Sequence, residues 1–198
     1  SKNKSLNDRI MNFDNMFSLN RIGVSDTVEG GQSITIGNEY ALYRGQNTNE
    51  KIFSIDLATS IRDKKNDKLP INSTLGKKNS DVFGKIEFNA NEFIDFDYNF
   101  ALDNNLQTIN YNQIKSTLSF LNIVSTFDFL EKNNLLGSES YISNETKVEI
   151  NRSSSIGFKT RKNKDKNLTE YYNLLYEYKN DCLIAGIEFK KDFYSDGS

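Results

Sequence analysis

The stretch Asn91–Asp103, NEFIDFDYNFALD, admits very few structures. Ile94, Phe96, Tyr98, Phe100 and Leu102 occupy alternate positions, and Asp95, Asp97, Asn99, Ala101 and Asp103 fill the places between. Strict alternation puts the two sets on opposite sides of a β-strand, one apolar and one wet. A helix of about 3.6 residues per turn would scatter those carboxylates around its axis instead.

The same period recurs along the chain. Ile142, Thr146, Val148 and Ile150 oppose Ser143, Glu145, Lys147 and Glu149, with Asn144 the polar exception on the apolar side. Phe53, Ile55, Leu57 and Ile61 alternate with Ser54, Asp56, Ala58 and Ser60. Leu183, Ala185, Ile187 and Phe189 alternate with Cys182, Ile184, Gly186 and Glu188. The pattern predicts about ten strands, near 32–44, 50–61, 81–90, 92–103, 107–120, 122–131, 141–151, 154–161, 169–179 and 182–194. Their length, about 9–13 residues, exceeds the usual strand and approaches the roughly 9–11 that a tilted strand needs to cross a bilayer.

Connection lengths add to this. Read in order, the even-numbered connections include Arg62–Ser80, Lys132–Ser140 and Lys162–Leu168, while the odd-numbered ones are short. In an up-and-down antiparallel sheet, odd and even connections lie at opposite ends. Outer-membrane barrels have short periplasmic turns and longer extracellular loops. Two architectures fit the alternation. In a membrane barrel, Ile94, Phe96, Tyr98, Phe100 and Leu102 meet lipid, and Asp95, Asp97, Asn99, Asp103, Glu145, Lys147, Glu149 and Glu188 line the lumen. In a soluble β-sandwich acting as a binding or adhesin module, the same apolar residues form a core. Strand length and loop alternation favour the barrel: all-β, antiparallel and up-and-down, with residues 1–31 an extracellular or lumenal segment and residues 32–198 the barrel part.

Composition removes most chemistry. The formal net charge is −2, with no basic excess to suggest nucleic acid. There is no histidine, the commonest general base and metal ligand. One cysteine, Cys182, permits neither an internal disulfide nor a cysteine zinc site, and without a histidine it lacks the usual base for a nucleophile. Asp95 and Asp97 share a face about 6.6–7 Å apart, but a hydrated wall explains them better than a catalytic pair. The glycines of Val28–Gln32 precede no helix and so read as a turn, not a phosphate cradle. The basic runs at Arg62–Lys65, Lys77–Lys78 and Arg161–Lys164 fall in predicted connections, where they can reach lipid phosphates. No catalytic residue, metal or cofactor is expected.

Three stretches resemble the LptD family of lipopolysaccharide-assembly proteins. SLNRIGVSDTVEGGQSITIG, Ser18–Gly37, is similar to the family's Asn-Arg-x-x-Gly-x-Asp-Arg-x-Glu-x-Gly segment, through Asn20, Arg21, Glu29 and Gly30. Gly23 and Asp26 are displaced by one or two places, and Thr27 stands where the family usually has Arg. Asn79–Asn89 resembles its Ser-Asp-x-x-Gly strand, and Thr169–Asp196 its C-terminal region in α-proteobacterial members. The resemblance implies an outer-membrane barrel that opens sideways between its first and last strands to release lipopolysaccharide into the outer leaflet. It implies a plug lipoprotein like LptE, and a periplasmic lipopolysaccharide bridge that meets an N-terminal jelly-roll. It also implies a disulfide between Cys182 and a cysteine near that domain. On this resemblance the chain is a C-terminal barrel piece, without the jelly-roll, the early strands and the final strand. A porin or receptor barrel shares the fold but not the cysteine.

Overall fold

Ten strands form along the chain, and each hydrogen-bonds to the next, so the sheet order follows the sequence order. The computed structural model describes residues 11–19, 21, 29–45, 50–69, 74–134 and 137–193. The strands are β1 (Ser33–Tyr43), β2 (Lys51–Arg62), β3 (Val82–Asn91), β4 (Ile94–Leu102), β5 (Ile109–Phe120), β6 (Ile123–Asn134), β7 (Gly137–Asn151), β8 (Ser154–Asn163), β9 (Leu168–Lys179) and β10 (Ile184–Asp192). A sandwich requires two sheets packed face to face. Here there is one antiparallel up-and-down sheet, and no β1–β10 pairing closes it among the described residues.

One short helix precedes the strands, α1 (Phe13–Met16). Asn12 and Asn15 cap it reciprocally: each side-chain oxygen accepts from the other's backbone N–H, at 3.1 and 3.0 Å. That exchange satisfies two of the donors a helix start leaves open.

The loop alternation survives only in part. β6 runs to Asn134 and β7 begins at Gly137, so most of the stretch read as the long connection Lys132–Ser140 is strand. The polar residues at Lys132–Asn134 and Ser138–Ser140 simulate a loop because both hairpin arms carry polar side chains. Of the connections whose length suggested a side, 63–81 between β2 and β3 remains long.

The chain divides into two compact units. The first comprises Ser1–Glu87, Tyr98–Asn112 and Lys132–Gly137; the second comprises Phe88–Asp97, Gln113–Glu131 and Ser138–Ser198.

In the first unit, the β1–β2 register sorts side chains by polarity. Ile34 pairs with Ile61, Tyr40 with Ile55 and Leu42 with Phe53 on one side. Ser33 pairs with Arg62, Thr35 with Ser60, Glu39 with Asp56 and Ala41 with Ser54 on the other. Burial follows the polar set. Ser54, Asp56, Ala58, Ser60 and Arg62 are buried, while Leu57 and Ile61 are 40% and 42% exposed. This inverts a soluble protein, whose apolar side faces inward. It is what a sheet facing lipid on one side and polar groups on the other requires. Two segments cover the polar side. α1 packs against β2, and Phe17 lies so close over Gly37 that any side chain there would meet its ring. The 63–81 connection adds Leu69, Leu75, Ser80 and Asp81, all buried.

In the second unit, β7–β10 repeat the sorting. Val148, Ile156, Tyr176 and Ile187 form one cross-strand row, and Thr146, Phe158, Leu174 and Phe189 form the next. The opposite side carries the rows Lys147, Gly157, Leu175, Glu188 and Glu145, Lys159, Asn173, Lys190. Asn144 lies on the apolar side as expected, and its polarity is internally absorbed. Its amide donates to Ser125 Oγ at 3.0 Å and to the Thr126 carbonyl at 3.3 Å, and its oxygen accepts from Thr146 Oγ1 at 3.0 Å. Ser125 and Thr146 complete the ring at 2.7 Å.

Candidate functional site on the polar face

In the first unit, the polar side of β1 and β2 ends in a row of small hydroxyls beside the β2 terminus. Arg62 occupies that terminus. Among the residues covering it are Arg21 and Glu29, on the segment before β1. Arg21 Nε donates to Glu29 Oε2 at 2.8 Å, and its Nη2 also pairs with Glu29. Its remaining N–H groups reach Thr35 Oγ1 at 2.9 Å, Ser60 Oγ at 3.1 Å and Ser33 Oγ at 2.9 Å. Arg62 Nη2 pairs with the same Glu29 carboxylate. Its Nη1 donates to the Gly30 carbonyl at 2.8 Å and its Nε to the Leu75 carbonyl at 2.9 Å. The Gly30 carbonyl also accepts from Asn66 Nδ2 at 3.1 Å. Gly31, at φ +89°, takes the left-handed conformation that turns the chain into β1. Two guanidiniums thus share one carboxylate in a nearly closed setting, with Arg21 6% and Arg62 2% exposed.

A second charge chain lies further along the same strands. Glu87 on β3 pairs with Lys51 on β2, accepts from Ser54 Oγ at 3.1 Å and pairs with Lys85 at 2.8 Å. Lys85 also reaches Asp14 of α1 at 3.4 Å. Before β3, Asp81 accepts from Asn110 Nδ2 at 2.8 Å and lies 3.7 Å from Lys77. Burial raises its pKa above the ordinary aspartate value, against the lowering effect of those two partners.

The second unit's polar side is more open. Lys159 pairs with Glu145 at 2.8 Å, and Asn173 donates to Glu188 at 2.6 Å. Arg161 pairs with Glu170 at 2.6 Å and stacks 4.0 Å above the Tyr141 ring. A shallow cavity of about 180 Å³ is lined by Lys115, Thr126, Asp128, Ser143, Glu145 and Lys159 among others. Most of its lining side chains are polar or charged, which suits hydrated groups.

The residues singled out from sequence fall as follows. Asp95, Asp97 and Asn99 share one side of β4, Asp95 exposed and the others half-buried. Ile94, Phe96, Tyr98 and Phe100 lie opposite, with Tyr98 and Phe100 ring centroids 5.2 Å apart. Leu102 ends the strand. Asp103 lies beyond that end: its Oδ1 accepts from Gln107 N at 2.7 Å and Thr108 N at 3.1 Å, so it caps a turn instead of extending the wall. Glu145, Lys147 and Glu149 are exposed on one side of β7, and Glu188 is exposed on β10. Of the motif before β1, Arg21, Glu29 and Gly30 converge; Asn20 and Asp26 lie outside the described residues.

Two basic runs need correction. Arg62 is the last residue of β2 and is committed to Glu29, so it offers nothing to lipid phosphate. Arg161 lies within β8, paired with Glu170. Cys182 also moves: β10 begins at Ile184, so Cys182 sits in the preceding turn and not on a strand face beside Gly186 and Glu188. Asn180 Oδ1 accepts from Cys182 N at 3.0 Å and Leu183 N at 2.8 Å, fixing that turn. The thiol is exposed.

Arg62, Ser60, Ser33 and Thr35 were missed as partners of the motif. The alternation already placed polar residues together on that side, and an unexplained polar side calls for a polar cover. Among the described residues, no group of three or more His, Cys, Asp or Glu side chains is placed to hold a metal ion.

A family model described as "LptD: LPS transport system D" matches residues 8–135. The match includes Arg21, Glu29, Arg62 and the covering segments; β7–β10, and with them Thr169–Asp196, lie outside it. No curated protein matches the chain.

Proposed function

The chain belongs to the LptD family of LPS transport proteins, and on that premise we propose that its strands form the C-terminal part of an outer-membrane β-barrel that inserts lipopolysaccharide into the outer leaflet. A role in LPS transport at the outer membrane follows from the family. The finer reading assigns the work to wall and opening, not to a catalytic group. Sugars pass along the polar side, and acyl chains leave through a lateral gap between strands. The observation that carries this is the inverted burial of β2: Ser54, Asp56, Ser60 and Arg62 inside, Leu57 and Ile61 outside. Lipid tolerates a sheet only when the side it meets is apolar. Residues 32–198 are then the barrel part, and residues 1–31 a lumenal or extracellular segment.

In the sheet order, the 63–81 connection is the second and the β9–β10 turn the ninth, so the two are of opposite parity. We assign the 63–81 connection to the extracellular side and the β9–β10 turn to the periplasm, where disulfides form. Exposed Cys182 then bonds a cysteine of a periplasmic domain. Partners on this reading are a plug lipoprotein like LptE and a periplasmic lipopolysaccharide bridge protein.

The test places a photo-crosslinking amino acid at Asp95, Asp97 or Phe96 of the full-length protein during active transport. Capture of the lipopolysaccharide sugar portion at Asp95 and Asp97 supports the route. Capture at Phe96 alone overturns it. For Cys182, full-length protein should migrate differently on gels with and without reductant, and identical migration removes the bond.

A further inference from the structure

The apolar side of the second unit changes character toward one end. The two rows of that side described above hold no charge. The next row toward the β8–β9 turn is Asn144, Thr160, Tyr172 and Lys191, and the one after it is Ile142, Lys162 and Thr169. At the opposite end, the row Ser154, Tyr178 and Ala185 holds no lysine. Aromatic rings stand beside the ammonium groups. Lys164, in the β8–β9 turn, lies 4.8 Å from the Phe129 ring centroid, and Lys191 lies 4.9 Å from that of Phe193. Phe129 follows Ser125 by four places on β6, and Ser125 bonds Thr146, so Phe129 belongs to this same side. Tyr172 meets Phe193 edge-on at 5.6 Å and stacks on Phe158 at 6.1 Å.

Lys162, Lys164 and Lys191 are exposed. The carboxylates of this end are engaged with other groups: Glu170 with Arg161, Asp192 with Lys190, and Asp165 with Ser140 N. Among the described residues no carboxylate, Glu131 of β6 included, pairs with these lysines. A lysine suits the hydrocarbon edge, because its methylenes lie along apolar surface while its charge reaches the headgroups. Aromatic rings gather at the same level. We propose that Lys162 and Lys164, extended by Lys191, form an outward-facing site for the phosphate of an anionic lipid headgroup, set at the hydrocarbon edge by Phe129 and Tyr172. Lys191 precedes 194–198, which lie outside the described residues, so Lys162 and Lys164 carry the site. This rests on the barrel reading above and goes beyond it, since it concerns a lipid held against the outer wall and not one moving along the polar side. The β8–β9 turn is the eighth connection, of the same parity as 63–81. On the sidedness assigned above, the lipid therefore belongs to the outer leaflet.

The experiment reconstitutes the full-length protein with its co-purified partners in phosphatidylcholine vesicles that carry a trace of spin-labelled lipid. Electron paramagnetic resonance reads the fraction of label held at the protein surface, and heat-dependent gel migration checks folding. Spin-labelled phosphatidic acid should be held several-fold more readily than spin-labelled phosphatidylcholine, and added salt should weaken the preference. Lys162→Gln combined with Lys164→Gln should bring the preference toward unity, while Lys162→Arg with Lys164→Arg should keep it. Lys147→Gln with Lys159→Gln, on the polar side of the same two strands, should leave it unchanged. A preference that survives in the first pair, or falls equally in the polar-side pair, overturns the site. A wild type that shows no heat-dependent migration and holds no labelled lipid overturns the barrel reading on which the site rests.

Discussion

β2 and β9 both carry a polar and an apolar side, yet the polar side of β2 is buried and β9 is half-buried or exposed along its whole length. The difference lies in what covers them. In the first unit, α1, the Glu29–Gly30 segment and the 63–81 connection lie on the polar side. In the second, turns such as Arg152–Ser153 are too short to fold over that side. Alternation fixes that a strand has two unlike sides; the loops decide which polar groups leave water. The energetic stakes follow. A charge pair removed from water depends on every partner, whereas an exposed pair competes with solvent and is worth little.

The largest effect should come where that contrast is sharpest. Glu29→Gln leaves Arg21 and Arg62 without their carboxylate and should destabilise by about 3–5 kcal/mol. Urea unfolding of the full-length protein in phosphatidylcholine vesicles measures it. A loss as small as that of an exposed pair would erase the distinction between the units.

Next comes the direction of the two sides. Phe158→Arg, on the apolar side of β8, should cost about 2–4 kcal/mol near the bilayer midplane. Leu175→Arg, on the polar side of β9 opposite Glu188, should cost almost nothing in the same assay. Equal losses would break the assignment of sides in the second unit.

Two glycines test packing. A Cβ at Gly84 would collide with the Phe100 ring, whereas a Cβ at Gly157 has its nearest neighbours 3.9 Å away. Gly84→Ala should cost about 1–3 kcal/mol through overpacking. Gly157→Ala fits freely and, by removing glycine's chain entropy, should stabilise by about 0.5–1 kcal/mol. Opposite signs in the unfolding midpoint confirm the contrast.

The smallest effect is at Lys159. Its partner Glu145 is 57% exposed, so Lys159→Gln should change stability by about 0–1 kcal/mol, and less at high salt. A loss approaching that of Glu29→Gln would mean the second unit's polar side is covered in the membrane.

Much of the sheet was legible because a two-residue period leaves few alternatives. β5 and β8 begin and end within two residues of their predicted limits, and β4 was located by its Asp and Phe positions alone. The errors arose where sequence is locally polar for another reason. Lys132–Asn134 reads as a loop but continues β6, since a strand that reaches water at its end tolerates polar residues on both sides. α1 escaped notice because four residues cannot display a helical period, and its capping pair is two ordinary asparagines. The Arg21–Glu29–Arg62 cluster was half visible. Arg21, Glu29 and Gly30 stood out as a motif, but Arg62 comes from a strand about 30–40 positions onward. Nothing local distinguishes it from the lysines that follow.

The ring formed by Ser125, Asn144 and Thr146 has a wider meaning for reading such a sheet. By composition it is a polar spot on an apolar surface. By hydrogen bonding it is nearly inert, because its donors and acceptors point at one another and at the Thr126 carbonyl. Solvation responds to the bonding vectors that leave a surface, not to the letters that compose it. Asn144 counts as an exception in the sequence and as filler in the folded sheet. Replacing either hydroxyl neighbour would turn it outward and make it polar again.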